Sequence, residues 1–333
     1  PSFTQNWLIN NKNKIAQLIV SAREVNKFHG TFLSSIMKYQ VNGRIHGEIN
    51  QLRGDNGGTV SGRLSMSNPN LQQVPARNKD FGPKIRSLFI PEEGFKWGSF
   101  DYSQQEPRMT VHYAASIGDG YEGSNELVHA YQNASADFHQ TVADLVGIER
   151  TQAKTIGLGL MYGMGKNKLA NSLGVTKNEA DELIIKYNKK VPFVKKLSDR
   201  CKFAADEKGV IRTKKGRKCR FDLWETRDFG LHIAEKYEDA VAKYGKDNIK
   251  RAYTYKALNR LIQGSSADQT KQSMLDCYNA GHLPMLQIHD ELCFNIKDDN
   301  HAKEIQKIMQ EAIEFKVPSV VEYGLGKSWG NAK

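Results

Sequence analysis

Apolar residues at Ile15, Leu18, Ile19, Ala22 and Val25 recur at helical spacing, and the pattern predicts an amphipathic helix over Asn10 to Met37. The pattern then breaks. From Asn42 to Pro75 the chain is dense in polar residues and glycine (Gly43, Gly47, Gly54, Gly57, Gly58, Gly62), which reads as short strands and loops. Phe95 to Phe100 predicts a strand, ended by Asp101-Tyr102-Ser103 before a helix opens at Gln104. From about Ala134 to Tyr244 the period is almost wholly helical. One interruption falls at Gly209 to Arg220, where two short runs around Lys214-Lys215-Gly216-Arg217 predict a hairpin. Met285 to Ile288 and Leu292 to Ile296 flank His289-Asp290-Glu291 as strand, tight turn and strand. A last helix over Asn300 to Glu314 precedes a short strand at Val317 to Glu322. Strand-rich, helical, then strand-rich again predicts an α+β fold with a helical subdomain inserted into a sheet domain.

The 333 residues carry 48 Lys and Arg against 37 Asp and Glu, a formal net charge of +11. That length suits about two domains, or one large fold with subdomains. Charged residues at 26% and hydrophobic ones at 39% fit a soluble globular chain rather than a disordered one. No apolar run approaches the ~18–20 residues of a membrane span, and the opening Pro1-Ser2-Phe3-Thr4 lacks the form of a signal peptide. Cys201, Cys219, Cys277 and Cys293 contain no CxxC pair, which argues against a zinc ribbon or a redox dithiol. They read as reduced, mostly buried thiols of a cytoplasmic protein. The basic balance suits a polyanionic partner and, equally, solvated lysine-rich faces.

Three clusters carry candidate chemistry. In Asp101-Tyr102-Ser103-Gln104-Gln105-Glu106-Pro107-Arg108, a carboxylate at a strand end can face a cleft and hold a hard cation; taken alone, Asp101 reads better as a cap for the next helix. Acidic residues in a hairpin turn such as His289-Asp290-Glu291 are common for conformational reasons, but the apolar flanks set this tip against a core. Asp101 and Asp290 together could bridge two Mg²⁺ ions about 3.5–4 Å apart, as phosphoryl transfer requires. In the third cluster Arg150, Lys154, Leu158 and Tyr162 follow one i, i+4 row of a helix. The row spans about 18 Å, a triphosphate plus a base, with cations at one end and an aromatic ring at the other. Gly157, Gly159, Gly163 and Gly165 argue against an ordinary solvated helix there.

With these clusters in order, the chain resembles the family A DNA polymerases, the type of bacterial DNA polymerase I. The first looks like motif A (DYSQxExR), the helical row like motif B (RxxxKxxxxxxxYG) and the hairpin tip like motif C (HDE). Ser61-Gly62-Arg63-Leu64-Ser65, Asn68 to Gln72, Asn259 to Asp268 and the ending Gly324 to Trp329 are similar too, so the likeness covers roughly residues 25 to 333. It implies a right-hand polymerase fold, an antiparallel-sheet palm with helical fingers inserted. The end of a thumb would fall at 1–43, the palm at 44–115 and 249–333, and the fingers at 116–248.

The resemblance implies DNA-templated addition of deoxynucleotides to a primer 3′-hydroxyl, with two Mg²⁺ ions (Mn²⁺ as substitute) and release of pyrophosphate. Asp101, Asp290 and the Tyr102 backbone would hold metal, with Glu291 in support. Arg150, Lys154 and His139 would bind the triphosphate, Lys154 also serving as general acid. Tyr162, Leu158, Tyr102 and Gln104 would meet the nucleotide, and Glu106 would occupy the place of a 2′-hydroxyl. Arg63, Asn70, Gln72, Asn259, Gln263 and His289 would contact primer–template DNA. A separate exonuclease chain or processivity factor is a further possible partner.

The chain departs from the pattern in several places. Leu158 stands where the family usually has Phe or Tyr, and Gly157 replaces a larger residue, which should loosen the helix. Gln105 and Pro107 differ from the commoner apolar pair, and the His139 to Arg150 connection is short. Little of a thumb precedes the matched region. Two other readings stand beside the first: a single-subunit RNA polymerase, which Glu106 argues against, and a DNA-binding fragment inactive without a thumb.

Overall fold

The computed structural model describes residues 3–52, 58–75, 78, 80–133, 137–228, 230 and 232–332. Gly54, Gly57 and the expected start of the helical block at Ala134 lie outside them. A short α1 (Gln5–Asn10), capped by Thr4, precedes the expected helix, which forms but starts at Lys14 rather than Asn10 as α2 (Lys14–Lys27), where Asn13 caps it, Asn13 Oδ1 accepting from Ile15 N at 2.8 Å. A π-helical segment, Phe28–Ser34, leads into α3 (Ser35–Lys38). The expected stripe does not form the inner face. Ile15, Leu18 and Val25 are exposed, and burial falls instead on Phe28, Phe32 and Ile36, a row spaced by four. Short hairpins follow, β1 (Gln40–Val41) with β2 (Arg44–Ile45) and β3 (Glu48–Asn50) with β4 (Ser65–Ser67), then the short α4 (Gly82–Arg86).

The central strand β5 (Lys96–Tyr102) runs two residues past its expected end, because Asp101 and Tyr102 find ladder partners. It leads into α5 (Gln105–Ala115), α6 (Ser124–Asn133), α7 (Phe138–Val146), α8 (Arg150–Met161), α9 (Lys166–Leu173), α10 (Lys177–Lys190) and α11 (Pro192–Lys208). The basic hairpin forms as expected, β6 (Val210–Arg212) with β7 (Lys218–Arg220). The helical period does not hold to Tyr244. An appendage of β8 (Trp224–Thr226), α12 (Tyr237–Tyr244) and β9 (Ile249–Arg251) intervenes, its two strands paired with each other. The long α13 (Ala257–Asn279), β10 (Leu286–Ile288), β11 (Glu291–Ile296), α14 (Asp299–Glu311) and β12 (Val321–Gly326) complete the chain. The last strand starts four residues later than expected. Pro318 and Ser319 are taken by other partners, the Pro318 carbonyl accepting from Arg108 Nη1 at 2.9 Å and Ser319 Oγ from Gln269 Nε2 at 2.6 Å.

The main sheet is antiparallel, in the order β10-β11-β5-β12. Strand alternation gives its two faces different tasks. Phe100, Tyr102, Leu292, Phe294 and Ile296 point to the face covered by α13 and α14, where they meet Cys277, Ile305 and Met309. Trp97 and Cys293 point to the other, against Leu286, Ile288 and Trp329. The helices α5 to α11 and the start of α13 enclose a third core around Phe138, Ile156, Tyr187 and Leu258. All four cysteines are free and buried.

Gly98 on β5 marks how closely the helix-covered face is packed: a Cβ there would lie 2.5 Å from Ile296 Cγ1 and 2.9 Å from Phe100 Cε2. Gly98→Ala is therefore expected to destabilise the fold by about 1–3 kcal/mol through overpacking. Urea unfolding should show a lower midpoint at unchanged slope. A wild-type midpoint would mean that this face relaxes around the added methyl.

Candidate active site

At the end of the sheet the ladder places three carboxylates side by side. Glu291 on β11 is paired with Asp101 on β5, and Asp101 with Glu322 on β12. Opposed residues share a face, so this is a row of like charges fixed by backbone register. Asp290 joins it from the two-residue turn between β10 and β11, in which His289 adopts the left-handed conformation (φ 57°). Asp101 is exposed on the cleft side, yet protein crowds its carboxyl from behind. That desolvation, followed by the charges of Asp290, Glu291 and Glu322, pushes it from 3.8 up to about 7. Desolvation also raises Asp290, opposed by the nearby Arg63 cation. Glu291 is held by aromatic and cationic neighbours: its Oε1 accepts from Trp329 Nε1 at 3.2 Å, and the Arg86 guanidinium lies 4.2 Å from the Trp329 ring.

Asp101 is not the helix cap that it resembles when read alone. The cap position belongs to Gln104, which kinks the chain through a left-handed conformation (φ 52°) between β5 and α5. The Gln104 side chain is committed to that corner, its Oε1 accepting from Phe138 N at 2.9 Å and Tyr131 Oη at 3.3 Å. Buried Arg108 clamps the same corner, donating to the Ser103 carbonyl at 2.9 Å beneath the Tyr131 ring. Tyr102 turns away from the cleft, as strand alternation demands, and hydrogen-bonds Ser273 Oγ at 2.6 Å and the Met309 carbonyl at 2.5 Å. Only its backbone is left beside the acidic row. Pro107 sits in the first turn of α5, where its missing N–H costs nothing.

Glu106 joins the two halves of the cleft. One carboxylate oxygen accepts from Arg63 Nη2 at 2.6 Å; the other accepts from the Tyr162 hydroxyl at the end of α8. Gln263 of α13 also hydrogen-bonds Tyr162. At the other end of α8, Asp137 caps α7, accepting from His139 N and Gln140 N, and pairs with Arg150 Nη2 at 2.6 Å. Lys154 is exposed nearby. His139 is buried; desolvation outweighs Asp137 and lowers it to about 4, so the imidazole is neutral at pH 7. A third chain links Gln72 Nε2 to Gln287 Oε1 at 2.9 Å and Gln287 Nε2 to the His289 carbonyl at 2.7 Å.

The expected residues thus gather in four groups. Asp101, Asp290 and Glu291 meet at the sheet end; Arg63, Glu106, Tyr162 and Gln263 meet around Glu106; His139, Arg150 and Lys154 meet around Asp137; and Gln72 meets His289 through Gln287. Leu158 is half-buried against the helical core. Asn259 is half-buried on α13, and Asn70 keeps a buried, unpartnered Oδ1. Gly157 has a packing role that the sequence did not show: a Cβ there would lie 3.2 Å from Tyr187 Oη, so the glycine admits a close-packed neighbour. Glu322, Asp137, Gln287 and the pair Arg86 and Trp329 were not foreseen. Asp137 two residues before His139 was readable as a cap signal, whereas Glu322 depends on a register that no local pattern encodes.

Among the described residues no three His, Cys, Asp or Glu side chains converge tightly enough to hold a metal ion. The donor chemistry nevertheless fits a hard divalent cation. Two carboxylates, both raised above the ordinary range, stand beside strand-end backbone, and positive charge would relieve their crowding.

An antiparallel sheet ending in a carboxylate row, faced by a helix bearing Arg150, Lys154 and Tyr162, is the right-hand polymerase fold. The DNA polymerase family A model matches residues 4–331, and the chain belongs to that family. It is 38% identical to a DNA-directed DNA polymerase of Pseudomonas phage M6, across all of this chain and 54% of that protein. It is 31% identical to DNA polymerase I of Pseudomonas aeruginosa, across 96% of this chain and 34% of that one. The polymerase domain of Pol1 from M. smegmatis, solved in complex with DNA primer-template and dNTP, superposes with a TM-score of 0.78 at 26% identity, over 98% of this chain and 55% of that one. The chain spans about half the length of its phage relatives.

The raised Asp101 carboxyl has a consequence for stability. Between 3.8 and about 7 the folded chain keeps a proton that the unfolded chain has released, so stability falls as pH rises through that window. Asp101→Asn removes the penalty. In EDTA the variant should melt above wild type at pH 8, with the gain shrinking toward pH 4. A gain equal at both ends would mean that the carboxyl is not held against its charge.

Proposed function

We propose that this chain performs template-directed DNA synthesis, joining deoxynucleotides to a primer 3′-hydroxyl with release of pyrophosphate. The observation that carries the reading is the tie through Glu106, which brings the carboxylate row at the end of β5 and the cationic helix α8 to one cleft. On this reading the sheet is the palm, residues 44–115 and 249–333, and α6 to α12 belong to the fingers, 116–248. Residues 1–43 are the end of a thumb.

Asp101, Asp290 and the Tyr102 backbone would hold Mg²⁺ or Mn²⁺, with Glu291 steadying them from the Trp329 side. When bound, the ions would lower the barrier by neutralising charge on the attacking and leaving oxygens. The protein's own groups do the rest. Arg150 and Lys154 bind the triphosphate, and neutral His139 donates a hydrogen bond to it without competing for their charge. Lys154, exposed and cationic at this end of α8, gives a proton to the departing pyrophosphate. Glu106 fills the space that a ribose 2′-hydroxyl would need, and its bonds to Arg63 and Tyr162 keep it there. Arg63, Gln263 and His289, with Asn70, Gln72 and Asn259, line the route of the primer–template duplex and contact it without reading sequence. Leu158 leaves the sugar without an aromatic neighbour.

The test is extension of a DNA primer–template with deoxyribonucleotides or ribonucleotides, in Mg²⁺ and then in EDTA. Wild type should extend with deoxyribonucleotides only, and EDTA should stop it. Asp101→Ala and Asp290→Ala should lose at least about a thousand-fold in rate while binding DNA as wild type does. Undiminished extension by either variant overturns the reading.

A further inference from the structure

Between the appendage and α13 the chain makes a sharp turn that serves none of the contacts above. Tyr253 takes the left-handed conformation (φ 61°), and Thr254–Lys256 forms a single 3₁₀ turn. Thr254 is buried, whereas Tyr255 is turned outward with 51% of its surface exposed. Its inner side rests on Gly163, the residue after Tyr162. A Cβ on Gly163 would stand 3.1 Å from Tyr255 Cδ2, so a bare backbone is needed to seat the ring there. Lys256 Nζ lies 4.8 Å from the Tyr253 ring centroid and 5.4 Å from that of Tyr255. Beside Tyr253 opens a groove of about 300 Å³ whose walls include Arg220 and Arg260, with Asp222 as its acidic member. Arg260 is braced there, 4.4 Å from the Phe221 ring and donating Nη1 to the Arg220 carbonyl at 2.7 Å.

An exposed ring with a lysine beside it, next to a groove walled by two arginines, is the chemistry that holds a single strand of nucleic acid: π-faces for bases, fixed positive charge for phosphates. Position decides which strand. The row on α8 runs from Arg150 to Tyr162, so a nucleotide with its phosphates at the cationic end has its base near Tyr162. The template base opposite it lies there too, and the next unpaired template base falls just beyond, where Gly163 and Tyr255 sit. We propose that Tyr255 is the stacking platform for the first unpaired template base, and that Lys256, Arg260 and Arg220 carry the phosphates of the single-stranded template through the groove. The assignment rests on the polymerase reading given above.

The test compares two fluorescently labelled DNAs, a primer–template with a 5′ template overhang and a blunt duplex of the same paired sequence. Wild type should bind the overhang more tightly. Tyr255→Ala should lose about five-fold or more on the overhang and nothing on the blunt duplex. Tyr255→Leu, which keeps apolar cover over Gly163 without a π-face, should behave as the alanine variant; Tyr255→Phe should behave as wild type. Lys256→Ala with Arg260→Ala should reduce the salt dependence of overhang binding by about one to two ions. If Tyr255→Ala and Tyr255→Leu keep the wild-type preference, or lose equally on both DNAs, while wild type extends primers, this assignment falls alone. A wild-type chain that neither extends nor binds primer–template overturns the reading beneath it.

Discussion

Like charges separate unless something stronger holds them, and at the end of this sheet the stronger force is backbone register. Glu291, Asp101 and Glu322 occupy one line because β11, β5 and β12 are hydrogen-bonded in that alignment. Burial behind the Asp101 carboxyl comes first and the neighbouring charges add to it, and together they push it up to about 7. The cost is met away from the cleft. On the opposite face of the same strands Phe100, Phe294 and Ile296 are buried against α13 and α14, and moving any strand by one residue would bring those side chains out and the acids in. The hydrophobic face therefore fixes where the charges stand. A site built on a slack loop would let the carboxylates drift apart.

The same reasoning explains why Glu106 follows so soon after Asp101. The left-handed kink at Gln104 turns the chain from strand to helix within three residues, and Arg108 and Tyr131 pack the corner. Glu106 is thereby held at a fixed offset from the acid row while its carboxylate reaches α8 through Tyr162. A change in the position of α8 must break or remake that bond. The sheet and the helix are thus linked through a short, partly buried contact rather than through a broad surface.

What was legible in the sequence was local. The hairpin tip at His289-Asp290, the strand into Asp101 and the helix from Arg150 each announce themselves within a dozen residues, and the ordered motifs carry the family. The late start of the N-terminal helix and the displaced last strand were misread for physical reasons: the Asn13 side-chain cap sets where α2 begins, and Pro318 and Ser319 were claimed by Arg108 and Gln269. Glu322 and Gln287 were illegible for another reason, because their importance comes from partners more than two hundred residues away. Only the folded chain reveals them, Glu322 through strand pairing and Gln287 through its side-chain bond to Gln72.

The two ends of α8 bring these points together. Its cationic end is organised by Asp137, which both caps α7 and pairs with Arg150, so one carboxylate fixes a helix start and aims a guanidinium. Its aromatic end is organised by bare backbone: Gly163 admits Tyr255, as Gly157 midway admits Tyr187. Four glycines in and after a helix would ordinarily weaken it. Here Gly157 exchanges helix propensity for close approach by Tyr187 of α10, and Gly163, just past the helix end, admits Tyr255 from the turn before α13. The helix that faces the carboxylates is kept in place by its neighbours, not by its own propensity, and its position therefore depends on what those neighbours hold.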